Sequence, residues 1–451
     1  AVLDAHMDSA AARCACPTIR LDAGDMLQGT LLSMADRGRT VLEAYRRLGL
    51  AAAAVGNHEL DWGQDTLRAR IAESSFPWLS ANIVDSATGR RVPWVRSHVV
   101  VRAGELRVGI VGYVTRDTKR AVRAGNTSGL AITHGAAAIR DVLDSVRAQR
   151  PDVVILLAHE GGACQGTSCR GEIFELAEEL GAGAVDVIVS GHSHTVIADE
   201  AGAIPIVQAG SNARGIGVVD LVRRPEGGYR AHVRVVRADA AEVTPDRELA
   251  ALVEQAAKRN AKLAGREVAR LRVAMRRDRG EHALGNFIAD AYRNVTRADV
   301  AILNRGGVRA DLDAGIVTYG ELFAVSPFGD RLLTFELTGA ELRGLLERAV
   351  EEAPPGGYFF SGVTLRYDRR RPRGERIVEA RLADGKKLEG KRRYRLAASD
   401  YVAANRETAL RLFERRHADA GVTDLEALER WFRRLPQPVD PPGTGRVRIE
   451  P

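Results

Sequence analysis

Nowhere among the 451 residues is there an apolar run of membrane-spanning length, so no spanning helix is expected. Cysteine is scarce. There are four, and none of their spacings is that of a zinc finger. Cys164 and Cys169 enclose a short loop, where a local disulfide would fit an oxidising compartment and free thiols are the alternative. Cys14 and Cys16 stand too close in sequence for an ordinary disulfide. An initiator Met, a basic n-region and an apolar h-region are also missing before the chain starts at Ala1. A processed, trimmed or truncated product is therefore expected, on which no export signal would show. A large excess of one charge is missing too: 66 basic residues face 59 acidic ones, a net +7. Arg369, Arg370, Arg371, Arg373 and Arg376 do cluster, but Pro372 and Gly374 interrupt them. The segment reads as a solvated hairpin turn, and no nucleic-acid partner is expected. What remains, 45% hydrophobic and 28% charged residues, describes a globular protein of two or three domains.

The most informative stretch is Gly56-Asn57-His58-Glu59-Leu60-Asp61. It follows the apolar run Ala51 to Val55, a short buried strand, and Gly56 allows a tight exit from it. On its own it could be a polar turn capping the next helix. Three more clusters follow apolar runs in the same half of the chain: Gly24 to Thr30, Ala158 to Gly162, and Gly191 to Thr195. Four strand ends delivering Asp, Asn and His form a candidate metal-ligand constellation. Imidazole, carboxylate and amide oxygen suit zinc, manganese or iron and are too nitrogen-rich for calcium.

These motifs, Gly-Asp…Gln-Gly, Gly-Asn-His-Glu…Asp, an isolated His and Gly-His-Ser-His in that order, resemble the calcineurin-like metallophosphoesterases. More narrowly, they resemble the secreted 5′-nucleotidase family. The resemblance implies two divalent metal ions (Mn, Zn or Fe). Asp25 would bridge them, Asn57, His159 and His192 would complete one position, and His194 would belong to the other. Two such ions, about 3.5–4 Å apart, clamp a phosphoryl oxygen and generate a hydroxide for in-line attack. His58 would face the phosphate, oriented and charged by Asp61. In the second half, Leu284 to Phe287, Asn304 to Arg309 and Ser326 to Gly329 resemble the family's C-terminal domain. Asn304 and Arg309 would bind the nucleotide, and Phe328 and Tyr401 would sandwich the base. A further binding arginine falls on Arg277 or Arg279.

Two departures stand out. The family's opening strand ends in Asp-x-His and supplies two ligands. Here Asp4-Ala5-His6 has those letters but lies within a helical pattern over 1 to 13. The glycine-rich turn that follows the second stacking ring is replaced by Val402 to Thr408, which puts base preference in doubt.

The element pattern mixes βα units with added antiparallel strands. Helices are expected over Thr30 to Leu50 and Thr133 to Arg150. The expected fold class is α/β: a four-layer α/β/β/α metallophosphoesterase sandwich, then a smaller α/β substrate-binding domain. The expected division is a catalytic domain over 1–243, a linker helix over 244–265 and a C-terminal domain over 266–451. The function implied is a dimetal phosphohydrolase releasing phosphate from nucleotides. A 2′,3′-cyclic-nucleotide phosphodiesterase or nucleotide-sugar hydrolase is the nearest alternative. An inactive, truncated relative that only binds nucleotide is the alternative of another class. A periplasmic or extracellular location is implied.

Overall fold

The run Val153–His159 is buried at every position, as a parallel strand covered on both faces must be. It belongs to a six-stranded sheet in the order Val196–Ala201, Ile204–Ala209, Val187–Ser190, Val153–His159, Leu106–Val114, His98–Ala103. Its two neighbours run parallel to it, and both edge strands are antiparallel. A second, three-stranded parallel sheet is formed by Leu21–Asp22, Ala52–Ala54 and Trp78–Leu79. Ala52, Ala54 and Leu79 meet Val108, Ile110, Ile155 and Leu157 between the two sheets. Helices Arg140–Arg147 and Glu172–Leu180 cover the far face of the larger sheet through Val142, Val146, Ile173 and Leu176. Helices Arg39–Leu48 and Gln64–Glu73 bring Leu42 and Leu67 to Ala53, Val55 and Trp78 on the smaller one. Each fully buried Leu or Ile contributes about 1.5–3 kcal/mol. The layers are helix, sheet, sheet, helix, as expected.

This is a computed structural model. It describes residues 1–450 apart from 15, 167, 353–356, 405–409, 411 and 413–414. The chain divides into two compact units, Ala1–Arg259 and Asn260–Pro451, and helix Arg247–Ala264 runs through the division. Two expected helices are shorter than the pattern suggested. The one over Thr30 to Leu50 breaks into Leu31–Met34 and Arg39–Leu48 at Gly38. Gly38 has φ 85°, and a Cβ there would stand 2.6 Å from Leu27 Cδ2. The one over Thr133 to Arg150 is reduced to Arg140–Arg147, preceded by a left-handed Gly135 and a single 3-10 turn. Cys164 and Cys169 lie opposite each other in a small hairpin and are joined. Cys14 and Cys16 are joined as well, against expectation. Cys14 ends a helix and Cys16 lies beyond it, with their Cα atoms only 5.0 Å apart.

The second unit has a five-stranded mixed sheet in the order Tyr358–Ser361, Val300–Asn304, Arg393–Ser399, Arg331–Thr338, His417–Thr423. One face is covered by helices Ala283–Thr296 and Asp424–Arg434, where Phe287 and Phe432 meet with ring centroids 4.4 Å apart. The other is covered by helix Gly339–Glu352, through Leu342 and Leu346, and by a small sheet of Ile377–Leu382, Val363–Asp368 and Val447–Glu450.

Candidate metal centre

Strands Leu21–Asp22, Ala52–Ala54, Val153–His159 and Val187–Ser190 deliver Asp25, Asn57, His159 and His192 at their C-terminal ends. The backbone there is bent sharply. Asp25, His192 and His194 are all left-handed, with φ of 62°, 72° and 59°. Such positions cost about 1–3 kcal/mol each in non-glycine residues and cluster at working sites. Two glycines let the loops close up. A Cβ on Gly56 would stand 2.3 Å from Asp25 Oδ1, and one on Gly24 would stand 2.7 Å from Gly56 N.

The clamp on these loops is Glu59, to which the sequence reading gave no role. Its fully buried carboxylate accepts from the backbone N–H of Gly56 (2.7 Å), Asp25 (2.8 Å) and Leu27 (3.1 Å). Burial, reinforced by the Asp25 charge, pushes it up to about 7. Asp22 supports the same turn, accepting from Gly24 N at 2.8 Å and from the Tyr45 hydroxyl at 2.9 Å. Gln208 holds the His192–His194 turn. Its amide donates to Thr195 O and to Ser193 Oγ, both at 2.8 Å. Neither Asp22 nor Gln208 carried a motif signal of its own, because each acts through backbone or hydroxyl partners.

His159 is the hub. Its Nδ1 donates to Ala23 O at 2.8 Å, which turns Nε2 towards Asn57 Oδ1 at 3.0 Å and Asp25 Oδ2 at 3.1 Å. His192 meets it edge-on, with ring centroids 5.1 Å apart. Burial and the neighbouring His159 lower the His192 imidazole to about 4, so at neutral pH it offers a lone pair. Burial works to raise the Asp25 carboxyl, but His159 and His58 outweigh it and hold it well below the usual range. Nitrogen and oxygen atoms of Asp25, His159 and His192 lie within 4.8 Å of one another. An amide oxygen, a carboxylate oxygen and imidazole nitrogens converging in this way fit a divalent transition-metal cation.

His58 stands apart from this group. Its backbone N–H donates to Asp25 Oδ1 at 2.8 Å, and its Nδ1 lies 2.9 Å from Asp61 Oδ2. Burial raises the Asp61 carboxyl although His58 opposes the rise. Asn126 steadies the turn by donating to Asp61 O at 2.7 Å. His194 is exposed and lies outside the group of three. Asp4 and His6 lie in helix Val2–Cys14, where Asp4 pairs with Arg20 at 2.7 Å and His6 meets Asp239 O at 2.9 Å.

In the second unit, Asn304 ends strand Val300–Asn304, and Arg309 lies over the Phe328 ring, 5.7 Å from its centroid. Arg277 joins them: it pairs with Asp311 at 2.8 Å and donates to Arg309 O at 2.7 Å. Of the two candidate arginines, Arg277 is thus the one tied to Arg309. Tyr401 stands on the short helix Asp400–Ala404, half-buried against the core. Of the stretch Val402 to Thr408, read as replacing a glycine turn, Val402 to Ala404 end that helix, and Asn405 to Thr408 lie outside the described residues.

The four-layer fold and its strand-end donors define a phosphoesterase-type unit followed by a second domain. Comparison with known proteins agrees. Residues 260–414 match the family described as "5'-nucleotidase, C-terminal domain". Residues 22–200 match "Bacterial capsule synthesis protein PGA_cap". A crystal structure of a 5'-nucleotidase precursor from Thermus thermophilus superposes with a TM-score of 0.84 at 26% identity, covering 100% of this chain and 93% of that one. The snake venom 5'-nucleotidase of Naja atra is 27% identical over 85% of this chain and 80% of its own length. Endonuclease YhcR of Bacillus subtilis (strain 168) is 25% identical over 95% of this chain, which spans only 36% of that protein. Residues 260–414 thus carry the 5'-nucleotidase C-terminal domain, and the chain as a whole is similar to 5'-nucleotidases in sequence and in fold.

Proposed function

We propose that this chain is a dimetal phosphohydrolase that releases phosphate from nucleotides. The observation that carries the reading is the meeting of Asn57 Oδ1 and Asp25 Oδ2 at His159 Nε2, beside a separate His58–Asp61 pair. Asp25, Asn57, His159 and His192 would hold one divalent cation, and His194 with Asp25 a second. Bound there, the cations supply Lewis acidity and a nucleophile at neutral pH. His58, held by Asp61, faces the phosphoryl group and carries a proton to the departing oxygen. Glu59 keeps the Asp25 and Gly56 loops in register. Residues 1–243 form the catalytic domain, 244–265 the linker helix, and 266–451 the substrate-binding domain. There Asn304 and Arg309 bind nucleotide oxygens, and Phe328 and Tyr401 stack the base. The two disulfides support an oxidising, periplasmic or extracellular location.

A diesterase is the second reading, favoured by the endonuclease among the relatives. The deciding experiment is phosphate release from 5'-AMP, compared with cleavage of 2',3'-cyclic AMP, a nucleotide sugar and a polynucleotide, with manganese or zinc present. Release from 5'-AMP faster than cleavage of the others carries the proposal. Preference for a diester moves it to the second reading, and no turnover of any of them leaves a nucleotide-binding relative.

A further inference from the structure

The net charge of this chain is local. Residues 366–395 hold thirteen Lys and Arg against five Asp and Glu, a net +8, so the other 421 residues come to −1. Part of this run forms the outer face and the two ends of a small sheet, while Lys391 to Arg395 lead into strand Arg393–Ser399 of the five-stranded sheet. In the sheet of Val363–Asp368, Ile377–Leu382 and Val447–Glu450, the residues Val363, Leu365, Tyr367, Ile377 and Ala380 belong to the core. Alternate residues of a strand share a face, and in the outer set Thr364, Arg366, Arg381 and Arg448 are exposed while Glu379 and Glu450 are half-exposed. Arg366 lies level with Arg448, and Thr364 lies level with Arg381. The hairpin tip at one end exposes Arg369, Arg371 and Arg373, and Lys387 is exposed at the other. Six strand residues at about 3.3 Å each separate the two ends by about 20 Å. Arg366 and Arg381 are paired with Glu450 and Glu379. The tip arginines, Lys387 and Arg448 make no ion pair among the described residues.

We propose that this face binds the phosphate backbone of a nucleic-acid chain, without regard to sequence. A planar arginine fork matches phosphate oxygens, and a row of such forks matches a repeating polyanion. The large apolar side chains exposed among the described residues are Val196, Val222, Val253, Leu263, Val273 and Ile316. None lies on this sheet, so the face has nothing to insert into a bilayer, which argues against a membrane surface. Tyr367 and Tyr394 are buried, so no ring is offered to stack a base and the contact reads no sequence. The expectation of no nucleic-acid partner rested on a lone hairpin turn. It did not include the sheet face or Arg448, which comes from the C-terminal strand.

The test uses the full chain and a fluorescein-labelled mixed-sequence DNA duplex, read by anisotropy between 20 and 200 mM NaCl. Binding should weaken linearly in a log–log plot against salt, with a slope of about −0.9 per phosphate contacted. Replacing Arg369, Arg371 and Arg373 together by Glu should weaken low-salt binding at least ~10-fold and reduce that slope by about 2–3. The same variant should hydrolyse p-nitrophenyl phosphate at the parent rate, which also reports that it folds. Arg366→Gln with Arg448→Gln should weaken binding less but in the same direction. A control with Arg223, Arg230 and Arg237 changed to Glu, on a hairpin of the other unit, should bind as the parent does. No binding at 20 mM salt would overturn the proposal. Equal weakening by the control variant, or binding to phosphatidylserine vesicles that the duplex does not displace, would overturn it as well.

Discussion

At the scale of single residues, His58 can be separated from the cation donors. Its ring is held by Asp61 at 2.9 Å, while its neighbour Asn57 meets His159. His58→Asn should therefore lower turnover by about 10²–10⁴-fold with metal content unchanged. Elemental analysis of the variant decides this, since lost metal would make His58 a ligand. His282 gives a second residue-level expectation. It caps helix Ala283–Thr296, its Nδ1 accepting from Gly285 N at 3.0 Å. Burial, then the nearby Arg305 and Arg277, lowers its imidazole to about 4. An unfolded histidine takes its proton near pH 6.5, so between about 6.5 and 4 the unfolded chain binds more protons. The contribution to stability is complete above about 6.5 and is lost as pH falls towards 4. Urea unfolding at pH 7.5 and pH 5.0 should show this loss, and His282→Asn, which keeps a cap acceptor, should shrink it. The same pH response in parent and variant would exclude His282 as its source. The imidazoles were legible in the sequence because ligand types repeat at strand ends. Glu59 and Gln208 were not, because what they bind is backbone N–H and carbonyl groups brought close only by the fold.

At the scale of elements, the site consists of loops that depend on one another. Three backbone donors, from Gly56, Asp25 and Leu27, converge on the Glu59 carboxylate. Glu59→Ala leaves them unpartnered at a buried position, at about 1–3 kcal/mol for each group that finds no water. A loss of about 3 kcal/mol in urea unfolding is expected, together with weaker manganese binding in a calorimetric titration. A loss below about 1 kcal/mol would remove Glu59 as the clamp. Helix periodicity gave the existence of most elements but not their breaks. Gly38 and Gly135 stop helices through close approaches to Leu27 and Glu179, residues that lie outside those helices. In the second unit, the segment after helix Tyr319–Val325 carries Phe328 under Arg309. Phe328→Ala should weaken nucleotide binding by about 1–3 kcal/mol and spare hydrolysis of a small aryl phosphate. Equal losses on both substrates would refute stacking on that ring.

At the scale of the whole molecule, the five apolar clusters found among the described residues sort by unit. Three are built from residues of the first unit and two from residues of the second. The cation donors belong to the first unit and Phe328 to the second. A ligand stabilises the cooperative unit whose native state binds it, by about 2.7 kcal/mol at a concentration 100 times its Kd. For a unit of about 200 residues, each kcal/mol moves the midpoint by about 2–4 °C, so a shift of about 5–10 °C is expected. Scanning calorimetry of the full chain should thus resolve two transitions. Manganese should raise one of them, and a chelator should lower that same one. Adenosine, which has no phosphate for the cations to hold, should raise the other. If adenosine moved the manganese-sensitive transition alone, the base site would belong with the metal centre, and the roles given to Phe328 and Tyr401 would fall. If both ligands moved a single transition, the two units would unfold as one, and independent cores would be the wrong description of how this chain is held together.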